Sequence, residues 1–182
     1  MLRHAAALAA LVAADPQRRQ VLAQVRRLGL PQAWVAAGFV RNLVWDHLHG
    51  RPRALTGDVD VIWFDPARAD PAEDRAAEVL LAEVSAGVAW SVKNQARMHV
   101  RNGDQPYASA LDAMRHWPET ATAVAVRLTG DGRIAVAAPF GLDDLFALRL
   151  VPTPAFAGAR RAVIEARAKD KAWRRRYPEL VG

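Results

Sequence analysis

Two short runs within residues 34–65, WVAAGFVRNLVWDHLHGRPRALTGDVDVIWFD, restrict this chain more than any other stretch. The apolar run Ala33-Trp34-Val35-Ala36-Ala37 stops at Gly38, and Val40, Leu43, Val44 and Leu48 then recur at helical spacing, which predicts a strand, a tight turn and a helix. Gly38 thereby falls at a helix start. Unpaired backbone N–H groups and the positive end of the helix dipole receive phosphate there, and a residue without a side chain lets phosphate oxygens come close. Phe39, Arg41 and Asn42 follow within the first turn. The Arg41 guanidinium offers phosphate oxygens a planar, permanently charged fork, with a surface salt bridge as its alternative role.

The second run, Gly57-Asp58-Val59-Asp60-Val61-Ile62-Trp63-Phe64-Asp65, is β-branched and aromatic, which favours a strand. Side chains alternate faces with a period of two, so Asp58 and Asp60 share one face and Val59 and Val61 the other. Two carboxylates that close repel each other. The pair is tolerable at a solvated strand end, or when neutralised by a hard cation that takes its remaining ligands from phosphate oxygens.

Gly38-Phe39-Val40-Arg41-Asn42, His49-Gly50-Arg51-Pro52 and Asp58-Val59-Asp60-Val61 together resemble the signature of the DNA polymerase β-like nucleotidyltransferases. The closest likeness is to the Gly-Gly-x-Val-Arg-Asp, Gly-Arg-Pro and Asp-x-Asp runs of CCA-adding enzymes and bacterial poly(A) polymerases. Val92-Lys93-Asn94-Gln95-Ala96-Arg97-Met98-His99, Trp117-Pro118-Glu119-Thr120-Ala121-Thr122-Ala123 and Ala138-Pro139-Phe140-Gly141-Leu142-Asp143-Asp144-Leu145-Phe146 extend the likeness over nearly the whole chain, to a bacterial branch of predicted nucleotidyltransferases with unassigned substrate. The resemblance implies transfer of a nucleoside monophosphate from an NTP to an acceptor, RNA or a small molecule, with release of pyrophosphate. Asp58 and Asp60 would hold Mg²⁺ or Mn²⁺, and Gly38, Phe39, Arg41 and Asn42 would contact the phosphates.

Two departures from the pattern stand out. Phe39 follows Gly38 where the family has a second glycine or a serine, and the strand Trp90-Ser91-Val92-Lys93-Asn94 lacks the third carboxylate that most members carry. Asn94 through its amide oxygen and Glu119 from elsewhere in the chain are the candidates to supplement the metal site. Lys93 is a candidate for phosphate contact, and Arg97 with Tyr107 for a nucleotide pocket. Strand-end, capping and surface roles are their alternatives. His47, His49, His99 and His116 have no metal-ligand spacing and are expected at the surface or as caps, and Trp34, Trp45, Trp63 and Trp117 in the core.

At 182 residues and 52% hydrophobic, the chain has enough apolar material for one substantial core, so residues 1–182 are expected to form one domain. Its parts are a helical segment over 1–30, a core over 33–137 and helices over 141–182. Zero cysteines exclude a disulfide framework or a thiolate zinc site. The Ala/Leu run after Arg3 leads into Asp15-Pro16-Gln17-Arg18-Arg19 rather than a cleavage site, and no apolar run reaches the roughly 18 residues of a spanning helix. A soluble cytoplasmic protein, away from membranes, is the expectation. The net charge of +6 sits in Arg160–Arg176, which holds eight basic residues against Glu165 and Asp170. A solvated helix face is the favoured reading of that segment, and an RNA-binding helix the other.

The apolar periods predict helices over 4–14 and from Asp15-Pro16 to Leu28, strands over 33–37 and 58–64, and a helix over 71–84 with Val79, Leu80 and Val84 as its apolar stripe. A strand over 88–92, a helical turn over 94–100, a helix over 107–117, a hairpin of 121–128 with 133–137, and helices over 141–148 and 156–176 complete the chain. The expected fold is α/β (α+β), a small mixed sheet flanked by helices. A catalytically degenerate nucleotide-binding or regulatory module is the alternative to an enzyme.

Overall fold

Period-two alternation builds one sheet from strands β1 (Trp34–Ala36), β2 (Asp58–Trp63), β3 (Ala89–Asn94), β4 (Ala125–Leu128) and β5 (Ile134–Ala137) in this computed structural model, which describes residues 2–182. Met1, the first residue of the N-terminal segment, lies outside them. The strand order is β3-β2-β1-β4-β5. Helix α4 (Pro71–Val84) connects β2 to β3, and these two strands are parallel, as a strand–helix–strand unit requires, while the other pairs are antiparallel. The fold is a mixed α+β sheet, as expected.

Register sets what each face carries. Val35, Val59, Val61, Trp63, Val92 and Val126 belong to the main core. They pack with residues of α1 (Leu2–Ala13), α2 (Pro16–Arg27), α3 (Gly38–Leu48) and α7 (Asp143–Phe146), among them Leu8, Val21, Leu43 and Leu145. Trp34, Ala36, Ile62 and Ala125 point to a second, smaller cluster closed by Ala110 and Met114 of α6 (Ala110–Met114). Ala36 is opposite Asp60, and Trp34 opposite Ile62. Asp58 and Asp60 therefore lie on this second, less covered face. Ile62 is buried there, Asp60 half-buried and Asp58 exposed.

Several elements differ from expectation. Val79, Leu80 and Val84 of α4 are more than half exposed, and the buried face is instead Asp74, Ala77 and Leu81. The reversal has a polar cause. The Asp74 carboxylate accepts hydrogen bonds from Trp63 Nε1 (2.7 Å) and the Asn94 amide (2.9 Å) and pairs with Arg97, so the helix turns its acid inward. β3 runs on to Asn94, and α5 (Met98–Asn102) follows a 3₁₀ turn over Gln95–Arg97. The helix expected over 107–117 shrinks to α6, which Ser109 caps by accepting from the Asp112 amide (3.0 Å). Residues 121–124 are not strand: the amides of Thr122 and Ala123 both turn back to the Glu119 carbonyl (3.0 Å). The C-terminal helix is broken into α8 (Arg161–Asp170) and α9 (Trp173–Arg176) by Ala172, whose φ of 50° no helix accommodates.

Candidate active site

Gly38 opens α3, and no side chain caps that end of the helix. The Ala37 carbonyl takes the amides of Val40 (3.1 Å) and Arg41 (2.9 Å), and the Ala37 amide donates to Val124 (3.0 Å), which fixes the turn against the 121–124 segment. The first amides of α3 stay available to an anion. Ala37 itself adopts φ 54°, ψ −121°, a conformation that favours glycine. Aligned on Val40-Arg41-Asn42, the Gly-Gly-x-Val-Arg-Asp pattern places its two glycines at Ala37 and Gly38. The departure thus falls at Ala37. Phe39 is a core side chain, 1% exposed, lying beneath the Arg18 guanidinium (5.4 Å), and it does not line the site.

A cavity of about 450 Å³ opens in front of this turn. Gly38, Arg41 and Asn42 form one wall, Asp58 and Asp60 another, and Arg167, Lys171, Trp173, Arg176 and Tyr177 of the C-terminal helices a third. A methyl group placed on Gly38 would meet only Arg41 Nη2 (3.6 Å) and Asn42 Nδ2 (3.7 Å) at ordinary contact distance. The space in front of Gly38 therefore belongs to the cavity.

Arg41 is 5% exposed. Its guanidinium stacks on Trp173 (4.3 Å) and Trp45 (5.1 Å), donates from Nη1 to Thr122 Oγ1 (2.9 Å) and from Nη2 to Asn42 Oδ1 (3.0 Å), and has no partner for Nε. No carboxylate pairs with it within 4 Å among the described residues, unlike the surface salt bridge that was the alternative. Burial holds this group down to about 10, with Glu119 acting in the opposite sense. It is still cationic at neutral pH, so the fold carries a poorly solvated positive charge facing a cavity.

Asp60 shows the complementary strain. Burial pushes its carboxyl up to about 6, and the neighbouring Asp58 raises it further. No third carboxylate or histidine joins the pair among the described residues; Ser91 is its register partner on β3. Two carboxylates on one strand face, beside an anion-receptive helix end, fit a hard divalent cation completed by phosphate oxygens and water.

The remaining sequence candidates are dispersed. Asn94 is fully buried and satisfied by backbone: its Oδ1 accepts from Asp65 (3.2 Å) and Ala96 (3.0 Å), and its Nδ2 donates to the carbonyls of Asp65 (2.8 Å) and Arg68 (2.9 Å). No metal-binding lone pair is left over. Arg97 pairs with Asp74, away from the carboxylates. Glu119, 0% exposed, receives Arg167 Nε at 2.6 Å and so aims that arginine rather than binding metal. Lys93 pairs with Glu78 (2.8 Å) and lines a neighbouring cavity. Tyr107 is buried, its hydroxyl donating to Asp104 (2.5 Å). Trp45 and Trp63 are core residues as expected.

Sequence reasoning passed over three groups. Arg167, Lys171 and Arg176 line the cavity, Lys171 exposed and the two arginines partly buried and held by Glu119 and Asp46. Asp46, 1% exposed, receives Arg176 (3.3 Å) and the Tyr177 hydroxyl (3.0 Å) and pins α9 to α3. Arg18, also 1% exposed, donates to the carbonyls of Phe39 (3.3 Å) and Arg53 (2.7 Å) and ties the loop before Asp58 to the glycine turn. For the C-terminal group, Trp173 and Tyr177 flanking Arg174-Arg175-Arg176 were the available signal.

A nucleotidyltransferase family model matches residues 23–181. Among solved structures, one whose NMR study describes a CCA-adding enzyme head domain aligns with a TM-score of 0.84 at 32% identity, over 96% of this chain and 93% of that one. No curated protein matches.

Proposed function

Because this chain belongs to the nucleotidyltransferase family, within the polymerase β-like superfamily, we propose that it moves a nucleoside monophosphate from an NTP to an acceptor and releases pyrophosphate, using Mg²⁺ or Mn²⁺. One observation carries the reading. A buried guanidinium and two carboxylates, none of them in an ion pair among the described residues, line one cavity in front of an uncapped helix N-terminus. A triphosphate with its divalent cation would satisfy the guanidinium and the carboxylates at once.

In this reading the first amides of α3, Arg41 and Lys171 bind the β and γ phosphates and hold the α-phosphate in line with the acceptor. Asp58 and Asp60 hold the cation, which when bound offsets phosphoryl charge and lowers the pKa of an acceptor oxygen. Thr122 and Trp173 keep the Arg41 fork aimed at the phosphates. Glu119 does the same for Arg167. A cytoplasmic location, where NTPs are abundant, is part of the proposal; no helix of the described residues is long and apolar enough to cross a membrane.

The test is pyrophosphate release from each of the four NTPs with Mg²⁺, comparing wild type with Asp60→Asn, alongside MgNTP-induced melting shifts. Release that Asp60→Asn abolishes supports the enzyme. The register of Ser91 with Asp60, where a third acid is customary, favours one rival, a nucleotide-binding module without turnover. That rival predicts melting shifts with all release absent. An RNA-binding helix is less well supported, since Arg167 and Arg176 are held by Glu119 and Asp46.

A further inference from the structure

A second cavity of about 570 Å³ adjoins the first, and Asp60, Ala37, Thr122 and Arg167 border both. Its floor is the second face of the sheet at Ile62 of β2 and Ser91 and Lys93 of β3, and its sides come from α5, the 116–118 turn, and α8 with the segment leading into it. The lining is mixed. Met98, Trp117, Phe156 and Val163 supply an apolar wall and Arg101 and Arg160 positive charge, while the Asp104 carboxylate at the rim is taken up by His116 (3.4 Å) and the Tyr107 hydroxyl. Lys93 and Arg167 are already paired, with Glu78 and Glu119. Arg101 and Arg160 have no carboxylate within 4 Å among the described residues, and Arg160 leans over the Phe156 ring (5.7 Å).

We infer that this second cavity receives the acceptor, and that the acceptor is a small molecule with an apolar body, a hydroxyl and an anionic group, either phosphate or carboxylate. The inference rests on the nucleotidyl-transfer reading of the first cavity. Asp60 stands on the border of the two spaces, so a hydroxyl presented beside it from the second cavity meets a nucleotide held in the first. The volume suits a compact ligand, since binding cavities for small molecules run from about 300 to 1,000 Å³. The apolar wall takes the body, and the two unpaired arginines take the anion through charge-assisted, fork-like hydrogen bonds. A polynucleotide end is a poorer match, because among the described lining residues Arg101 and Arg160 are the two cations left unpaired, beside an apolar wall and two carboxylates, Asp60 and Asp104. Phosphate chains are held by tracks of bases.

The chemical step balances with these parts alone. The acceptor hydroxyl oxygen forms a bond to the α-phosphorus, and the bond from that phosphorus to the oxygen bridging to the β-phosphate breaks. Pyrophosphate leaves with that electron pair from the first cavity, and the hydroxyl proton passes to solvent.

The experiment uses the full chain and a matched set of para-substituted probes: hydroxymethyl-benzoate, hydroxymethyl-phenyl phosphate and the neutral hydroxymethyl-benzamide. Binding is followed by amide shifts at Met98, Trp117 and Val163, and MgATP binding is followed separately by calorimetry. At least one of the two anionic probes should bind about tenfold or more tightly than the amide, and which one it is identifies the anion. The double substitution Arg101→Ala with Arg160→Ala, at exposed positions where folding is not at issue, should erase that advantage and leave MgATP binding as in wild type. Equal binding of all three probes, no binding of any at millimolar concentration, or an unchanged preference in the double variant would each overturn the inference. So would a loss of MgATP binding in the double variant, which would make the second cavity part of the nucleotide site. An RNA oligomer that displaces the probes with steep salt dependence would overturn it in favour of a nucleic-acid acceptor. If wild type takes the probes but never binds MgATP, the acceptor role falls with the nucleotide reading, an outcome separate from any failure of the probes.

Discussion

Replacing Arg41 with alanine separates a phosphate clamp from a structural cation, because the free protein and the nucleotide complex respond by very different amounts. In the free protein, burial holds the guanidinium down to about 10, which corresponds to a penalty on the order of 3 kcal/mol against the charged form. Its compensations are the Trp173 and Trp45 faces at 4.3 and 5.1 Å and the two hydrogen bonds to Thr122 and Asn42. Cation–π contact contributes roughly 1–2 kcal/mol and each hydrogen bond about 1 kcal/mol. The two sides nearly cancel, so Arg41→Ala should change the unfolding free energy of the free protein by no more than about 1 kcal/mol, in either direction. Nucleotide binding has no such cancellation. Two charge-assisted bonds from a desolvated fork amount to about 2–4 kcal/mol, a 30- to 1,000-fold loss of MgATP affinity, and Arg41→Lys should recover only part of it. Urea unfolding of the free proteins and calorimetric titration with MgATP read the two quantities independently. A variant that binds MgATP like wild type while losing several kcal/mol of stability would refute the clamp and make Arg41 a scaffold for Trp45 and Trp173.

Three further outcomes are expected. Ala37→Gly removes a side chain from a φ of 54° and should raise the unfolding free energy by about 1 kcal/mol after the entropy cost of glycine, measured in urea; a loss of stability would mean the turn is not strained. Gly38→Ala meets only ordinary contacts and should leave the melting temperature within a few degrees while MgATP affinity drops at least about tenfold; equal affinity would show that phosphate does not approach Gly38. Asp60, pushed up to about 6, favours the folded state below the unfolded-state value near pH 4, and that contribution is lost as pH rises through 6, by an amount on the order of 2–3 kcal/mol. The metal-free protein should therefore lose stability between pH 4 and 7, Asp60→Asn should flatten the profile, and Mg²⁺ should stabilise wild type more at pH 7.5 than at pH 5; superimposable profiles would rule out a buried carboxylate.

Local chemistry determined much of this protein. The apolar run closed by Gly38, the helical recurrence of Val40, Leu43 and Val44, and the alternation through Asp58-Val59-Asp60-Val61 depend on neighbours within a few residues. They reappear as β1, α3 and β2 with the two carboxylates on one face. Parallel pairing of β2 with β3 was legible for the same reason, because a helix-length segment lies between two strand-like runs.

What only the tertiary structure decided depends on partners distant in sequence. α4 has a legible apolar stripe in Val79, Leu80 and Val84, yet it buries Asp74, because Trp63 Nε1, the Asn94 amide and Arg97 converge there from other elements. Glu119 and Asn94 look like metal ligands by residue type, but Arg167 and four backbone groups take up their oxygens and amide. The basic segment reads as a solvated face until Asp46, 130 positions before Arg176, pins α9 against α3 and sets Lys171, Trp173 and Arg176 along the cavity. Charge at a helix surface says nothing about what faces it. The third wall of the site is a long-range contact, and a contact of that kind leaves no period or spacing in the chain.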